Sequence, residues 1–213
     1  MAARGGPWRP RVTRVTPSRA RTRPNGDRPR RAGPPVPGVT MTINDREDVM
    51  ALPQGDVRLL ESDVALRLLA SRELARLAYV AADGTPRVFP MLFHWTGTEM
   101  VLSTFAGARK IAALRARPDV AITVDAASTP PEVLLIRGRA SVTDVEGIVP
   151  EYVLAQHRYA GAEQGAANVA AVDRPGTRMA RIAVRPAWVG VLDFQTRLPG
   201  GVAAEDFERR GRS

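Results

Sequence analysis

The chain's only lysine, Lys110, directly follows Arg109, and Ser103 and Thr104 lie just upstream at the end of an apolar stretch. Every other one of the 31 basic residues is arginine, so the compact, strongly hydrated ammonium at this position stands out. Two adjacent cations, two hydroxyls and the free N–H groups of a helix start would together hold a phosphate. Taken alone, the segment is equally well explained as a solvated helix face.

Other chemistries find less support. There is no cysteine, which removes thiolate chemistry and a disulfide framework. The two histidines, His94 and His157, lack the spacing of a metal-ligand pair, and no metal site is expected. Ile111 follows Lys110 where a P-loop requires Ser or Thr, so Gly107–Lys110 does not hold a magnesium nucleotide. No Ser/His/Asp triad or carboxylate pair can be assembled. Arg137 and Arg139 share a strand face and read as a solvent-facing edge.

The elements that must position Lys110 follow from periodicity. Ser62 and Asp63 cap a helix with Leu66, Leu69 and Leu74 among its apolar positions. A strand from Leu77 ends at Asp83-Gly84, a strong hairpin signal. The return strand, Arg87 to Trp95, is apolar on both faces and needs a second covering layer. Thr96-Gly97-Thr98 turns into a strand over Glu99–Thr104, followed by a helix over Ala108–Ala116 that stops before Pro118. Strands follow at Val120–Asp125 and Glu132–Val142, then a helix at Pro150–Tyr159. Residues 160–176 read as a Gly/Ala-rich loop with some helix. Strands at Arg178–Val184 and Ala187–Asp193 are joined at Arg185-Pro186. About seven strands in hairpin order, with inserted helices, indicate a mainly β protein built as an antiparallel barrel.

The net charge of +9 is concentrated at one end. Residues 1–40 hold ten arginines and a single acid, Asp27, and the rest of the chain is electrically balanced. The high pI therefore belongs to the tail, and the domain carries no nucleic-acid signature. Residues 1–55 read as a disordered Arg/Pro-rich tail, or as an upstream extension of a chain that starts at Met41 or Met50. Residues 56–197 form the ordered domain and 198–213 a flexible C-terminal tail. No apolar run is long enough to span a bilayer and no secretory h-region is present, so a cytoplasmic protein is expected.

Three segments, in this order, resemble the flavin-binding split-barrel family, the pyridoxamine 5′-phosphate oxidases and their relatives that use the deazaflavin F420. They are Gly84-Thr85-Pro86-Arg87-Val88-Phe89-Pro90, then Ser103-Thr104 followed after four residues by Arg109-Lys110, and then Lys110 to Val124 through Arg117-Pro118-Asp119. The resemblance extends over roughly residues 60–195 and implies a split antiparallel β-barrel of the FMN-binding type. It implies FMN as cofactor, with F420 as the alternative. Arg109, Lys110, Thr104 and Ser103 would lie at the phosphate, Arg87 near the phosphate or ribityl chain, and Val88, Phe89 and Pro90 along the ring. It further implies an oxidoreductase that transfers hydride to or from a small organic substrate, with no catalytic side chain to name, and a homodimer with the cofactor at its interface.

Two departures bear on substrate. Ala108 stands where the oxidases have a serine, and the basic C-terminal substrate motif is unmatched, its nearest features being Trp188 and Arg197. Oxidation of pyridoxamine phosphate is therefore not the expected reaction. The alternative is a non-catalytic flavin- or haem-binding module for storage or sensing, with His94 or His157 as an axial ligand.

Overall fold

The structure, a computed structural model, describes residues 49–199, so expectations for 1–48 and for 200–213 lie outside the described residues. A 3-10 turn at Val57–Glu61 leads into α1 (Asp63–Ala70), capped by Ser62, whose hydroxyl accepts from Ala65 N at 3.3 Å. The buried face of α1 is Val64, Ala65, Leu68 and Leu69. Leu66, expected inward, is exposed, because the helix is only eight residues long and those four positions already form its i, i+4 stripe. Leu74 lies beyond the helix end and is also exposed.

Strands β1 (Ala75–Val80) and β2 (Pro86–Met91) form the expected hairpin. Gly84 takes a φ of +80°, and Asp83 accepts from the Thr85 N–H at 3.0 Å and from its hydroxyl at 2.6 Å. Then come β3 (Phe93–Trp95), β4 (Met100–Phe105), α2 (Arg109–Ala116), β5 (Asp119–Ala126) and β6 (Glu132–Glu146). Two helices, α3 (Pro150–Ala160) and α4 (Ala162–Val172), precede β7 (Arg178–Leu192).

The seven strands form one antiparallel sheet in the order β2-β1-β5-β6-β7-β4-β3. Its two edge strands, β2 and β3, are consecutive in the chain with only Leu92 between them, so the sheet closes on itself as a barrel. Leu77, Phe93, Leu102, Ile122, Ile136 and Ile182 fill the interior, each at most 1% exposed. The closure is incomplete. β2 pairs only with β1, and β3 covers β4 only over Met100–Leu102. The edges of β2 and of Ser103–Phe105 therefore face each other across an opening with no ladder partner. This is the split of the barrel.

Three expectations are corrected. The strand expected over Arg87–Trp95 is broken at Leu92, where the chain passes from one sheet edge to the other. The pair expected around Arg185-Pro186 is instead one strand, β7. β4 pairs with β7 only as far as Val184, so at Arg185-Pro186 β7 has β6 as its only strand neighbour, and a proline is tolerated on the free edge. A bulge at Arg137/Gly138 accommodates it: a Cβ on Gly138 would lie 2.4 Å from Arg185 O. The Gly/Ala-rich stretch contains a full helix, α4, whose small residues form a packing surface. A Cβ on Gly165 would lie 2.8 Å from Gln156 O, so glycine permits close approach to α3.

Order also begins before residue 56. Val49 is buried, Gly55 N donates to Val189 O at 2.7 Å, and the Gln54 amide bonds both Val191 O and Val191 N, at 2.7 and 2.9 Å. Gln54 thus acts as a short strand against β7, a role its flanking composition does not announce. Arg197 reinforces the strap by donating to Leu52 O at 2.9 Å and also to Met50 O. Trp188 lies under the Arg137 guanidinium at 4.0 Å and against Gly55 and Gly190. Both residues considered for a C-terminal motif thus hold the N-terminal strap.

Candidate functional site

The split contains a cleft of about 190 Å³. One wall is Phe89–Leu92, where β2 turns toward β3, and another is Val101, Ser103 and Thr104 of β4. Lys110 enters from the first turn of α2, and Glu151, Tyr152 and Ala155 from α3. Ser103 and Thr104 point to opposite faces of β4. Both residues nevertheless line the cleft.

The Lys110 ammonium stands 4.0 Å from the centroid of the Phe89 ring. It makes no ion pair with an acid among the described residues, and burial pushes its pKa below the ordinary lysine value. Phe89 pairs across β1 with Leu77 and so faces inward, but it lies at the mouth and stays 48% exposed. Ala108 at the N-cap of α2 provides no side-chain cap; Ile111 N donates to Ala108 O at 2.9 Å, which leaves the Arg109 and Lys110 N–H groups to other acceptors. An ammonium with no acid partner among the described residues thus lies beside two hydroxyl-bearing residues and a helix start, groups of the kind that can hold an anion.

Five of the eight site residues chosen from sequence meet here: Phe89, Pro90, Ser103, Thr104 and Lys110. The other three are elsewhere. Arg87 belongs to the hairpin turn, bonding Asp83 Oδ2 at 2.9 Å and the Thr85 hydroxyl. Arg109 is exposed on the outer side of α2, since one residue along a helix rotates the side chain by about 100°. Val88 alternates to the outer face, opposite Ala78, and is 63% exposed.

Sequence reasoning missed Glu151 and Tyr152. Pro150 in the first turn of α3 fixes their helical position, yet nothing local shows that α3 crosses β3 and β4 at the split. Arg181 Nε and Nη2 donate to Glu151 Oε1 at 2.9 and 2.8 Å. Burial alone raises the Glu151 pKa, but the Arg181 bonds, a backbone hydrogen bond and the Arg181 and His94 charges together outweigh it, so the carboxyl titrates below its ordinary value. Arg181 Nη2 is also 3.6 Å from Glu99 Oε2. Nearby, burial, and after it the Arg158 charge, lower the His94 pKa.

The sequence profile of the pyridoxamine 5′-phosphate oxidase family matches residues 62–192, which takes in α1, the cleft and all seven strands. The chain belongs to that family. Within it, the chain is similar to a solved structure named an F420 reductase, with 27% identity over 58% of this chain and 93% of that one, at a TM-score of 0.45. A conserved hypothetical protein from Mycobacterium tuberculosis is 20% identical over 59% of this chain and 80% of that one, at a TM-score of 0.47. A haem-binding protein from Mycobacterium smegmatis is 19% identical over 69% of this chain and 59% of that one, also at 0.47. No curated protein sequence matches. Among the described residues, no group of three His, Cys, Asp or Glu side chains could hold a metal, and no helix is long and apolar enough to cross a membrane.

Proposed function

We propose that this chain is an oxidoreductase that binds FMN, or F420 in its place, at the split. When bound, the cofactor supplies hydride transfer to or from a small organic substrate. The observation that carries this reading is the Lys110 ammonium, unpaired with any acid among the described residues and held at a cleft that also presents Ser103 and Thr104. Family membership supports it. Lys110 would neutralise the phosphate, Ser103, Thr104 and the Arg109 and Lys110 N–H groups would orient it, and Phe89 and Pro90 would lie along the ring. Purification tests the reading: mass spectrometry of the copurifying small molecule is expected to identify FMN or F420. Titration of cofactor-free protein follows, and a protein that binds neither refutes it. Turnover with a nicotinamide donor or with reduced F420 separates an oxidoreductase from a carrier, which binds without turning over.

Affinity for FMN should depend on pH in a defined direction. It rises as pH passes through about 6, where a phosphate monoester takes its second charge. It falls as pH climbs through the Lys110 pKa, which burial places below that of an ordinary lysine, because only the protonated amine attracts the anion. Fluorescence titration across this range checks the sign, and the alkaline fall should vanish in Lys110→Met.

We also propose that the working form is a homodimer. Val88 and Phe89 are 63% and 48% exposed beside a cleft of about 190 Å³. Sites for whole ligands typically enclose about 300–1,000 Å³, so a second copy laid against β2 would complete this one. Val88→Asp is expected to yield monomers in sedimentation equilibrium and to weaken FMN binding. A wild-type monomer that binds FMN tightly would refute the proposal.

A further inference from the structure

The Glu151 carboxylate is unexpected beside a phosphate receptor. Its place has a clear physical origin. Pro150 opens α3 and puts Glu151 in the first turn, where the helix dipole favours a negative charge. On the strand below, Arg181 pairs in register with Ser103, so the two side chains share a face of the sheet. From there the guanidinium reaches Glu151, and its Nε and Nη2 both donate to Oε1. Oε2 stays outside that pair. The carboxylate is therefore countered in charge, 16% exposed, and present in the same cleft as Lys110 and Ser103.

The cleft thus offers a cation on one wall and a hydrogen-bond acceptor on another. Its occupant must carry an anionic group and, within reach of it, hydroxyl or N–H donors. The cleft is too small for a whole flavin nucleotide but of a size for its phosphate and the chain next to it. FMN and F420 share that portion: a hydroxylated chain between phosphate and ring.

We propose that Glu151 accepts a hydrogen bond from a hydroxyl of the cofactor's polyol chain, with Arg181 as the positioning residue that keeps the carboxylate aimed. The inference rests on the reading of the cleft as a flavin-nucleotide site. It makes Glu151 a selector for hydroxylated over plain alkyl chains.

A cycle of protein and ligand changes tests it on the full chain. The ligands are FMN and an FMN analogue whose ribityl chain is replaced by a phosphate-terminated alkyl chain of equal length. Wild type is expected to prefer FMN by about ten-fold, the size of one hydrogen bond to a charged acceptor. Glu151→Ala abolishes that preference, and Glu151→Gln, which keeps the volume, cuts it to about three-fold. Arg181→Gln lowers the same preference and leaves the discrimination between FMN and riboflavin intact. The corresponding F420 pair covers the second cofactor. Equal loss for both ligands in Glu151→Ala, no loss, or tighter binding of both would overturn the role for Glu151 while leaving the cleft as the cofactor site. A wild type that binds neither FMN nor F420 overturns the site itself, and this inference with it.

Discussion

Lys110→Met is expected to weaken FMN binding by about 100-fold, while Arg109→Ala and Arg87→Ala each cost less than about five-fold. The asymmetry follows from where the charges lie. Hydrogen bonds to charged groups contribute roughly 1.5–3 kcal/mol, and more where water is excluded. Lys110 is partly desolvated over Phe89 and makes no ion pair with an acid among the described residues, so a ligand phosphate gains its full charge. Arg87 is already paired with Asp83 at 2.9 Å, and Arg109 is exposed outside the cleft. Lys110→Arg should restore only part of the loss, because a planar fork does not fit the slot of a compact ammonium. The loss should come without unfolding: burial disfavours the charged amine, so the methionine variant keeps or raises the melting temperature. Equal losses at all three cations would mean that the phosphate sits farther out, on the face of α2.

Phe93→Ala is expected to lower the unfolding free energy by about 3–5 kcal/mol, the usual cost of emptying a buried aromatic site. Phe93 is fully buried at the start of β3, just past the residue where the chain crosses from one sheet edge to the other. Its ring meets Tyr159 edge-on at 6.3 Å and lies under the Arg158 guanidinium at 4.3 Å. Arg158 in turn donates to Leu69 O at 2.6 Å and to Phe93 O, tying α3 to α1 and β3. Removing the ring loosens the anchor of α3, so cofactor affinity should fall along with stability. Phe105→Ala is the control: that side chain is 58% exposed, and urea unfolding should shift by less than about 0.5 kcal/mol. A similar shift for both variants would place the barrel's closure elsewhere.

Local signals were readable wherever a short segment determines its own conformation. Asp83-Gly84 marked its hairpin, Ser62 its helix cap and Pro150 the start of α3, because each acts on backbone groups a few residues away. Strand count survived for the same reason, although two segments were divided at the wrong points. Leu92 breaks a strand, and Pro186 does not. Whether a proline costs a ladder bond depends on whether the neighbouring strand extends that far, and β4 pairs with β7 only to Val184. Small residues misled in the same way. Gly165 reads as a loop residue until the backbone of α3 is known to lie against it.

Sequence alone supplied the residue types at Lys110, Ser103 and Thr104, the concentration of positive charge in residues 1–40, and the order of elements that carries the family resemblance. These depend on residue type and near-neighbour spacing, which folding does not alter. Tertiary structure alone decided which charges face one another. It turned Arg109 outward by one helical step, tied Arg87 to its own turn, and brought Glu151 to the cleft bonded to Arg181, 30 residues away in the chain. A site is defined by directions in space, and those are set by how strands and helices pack.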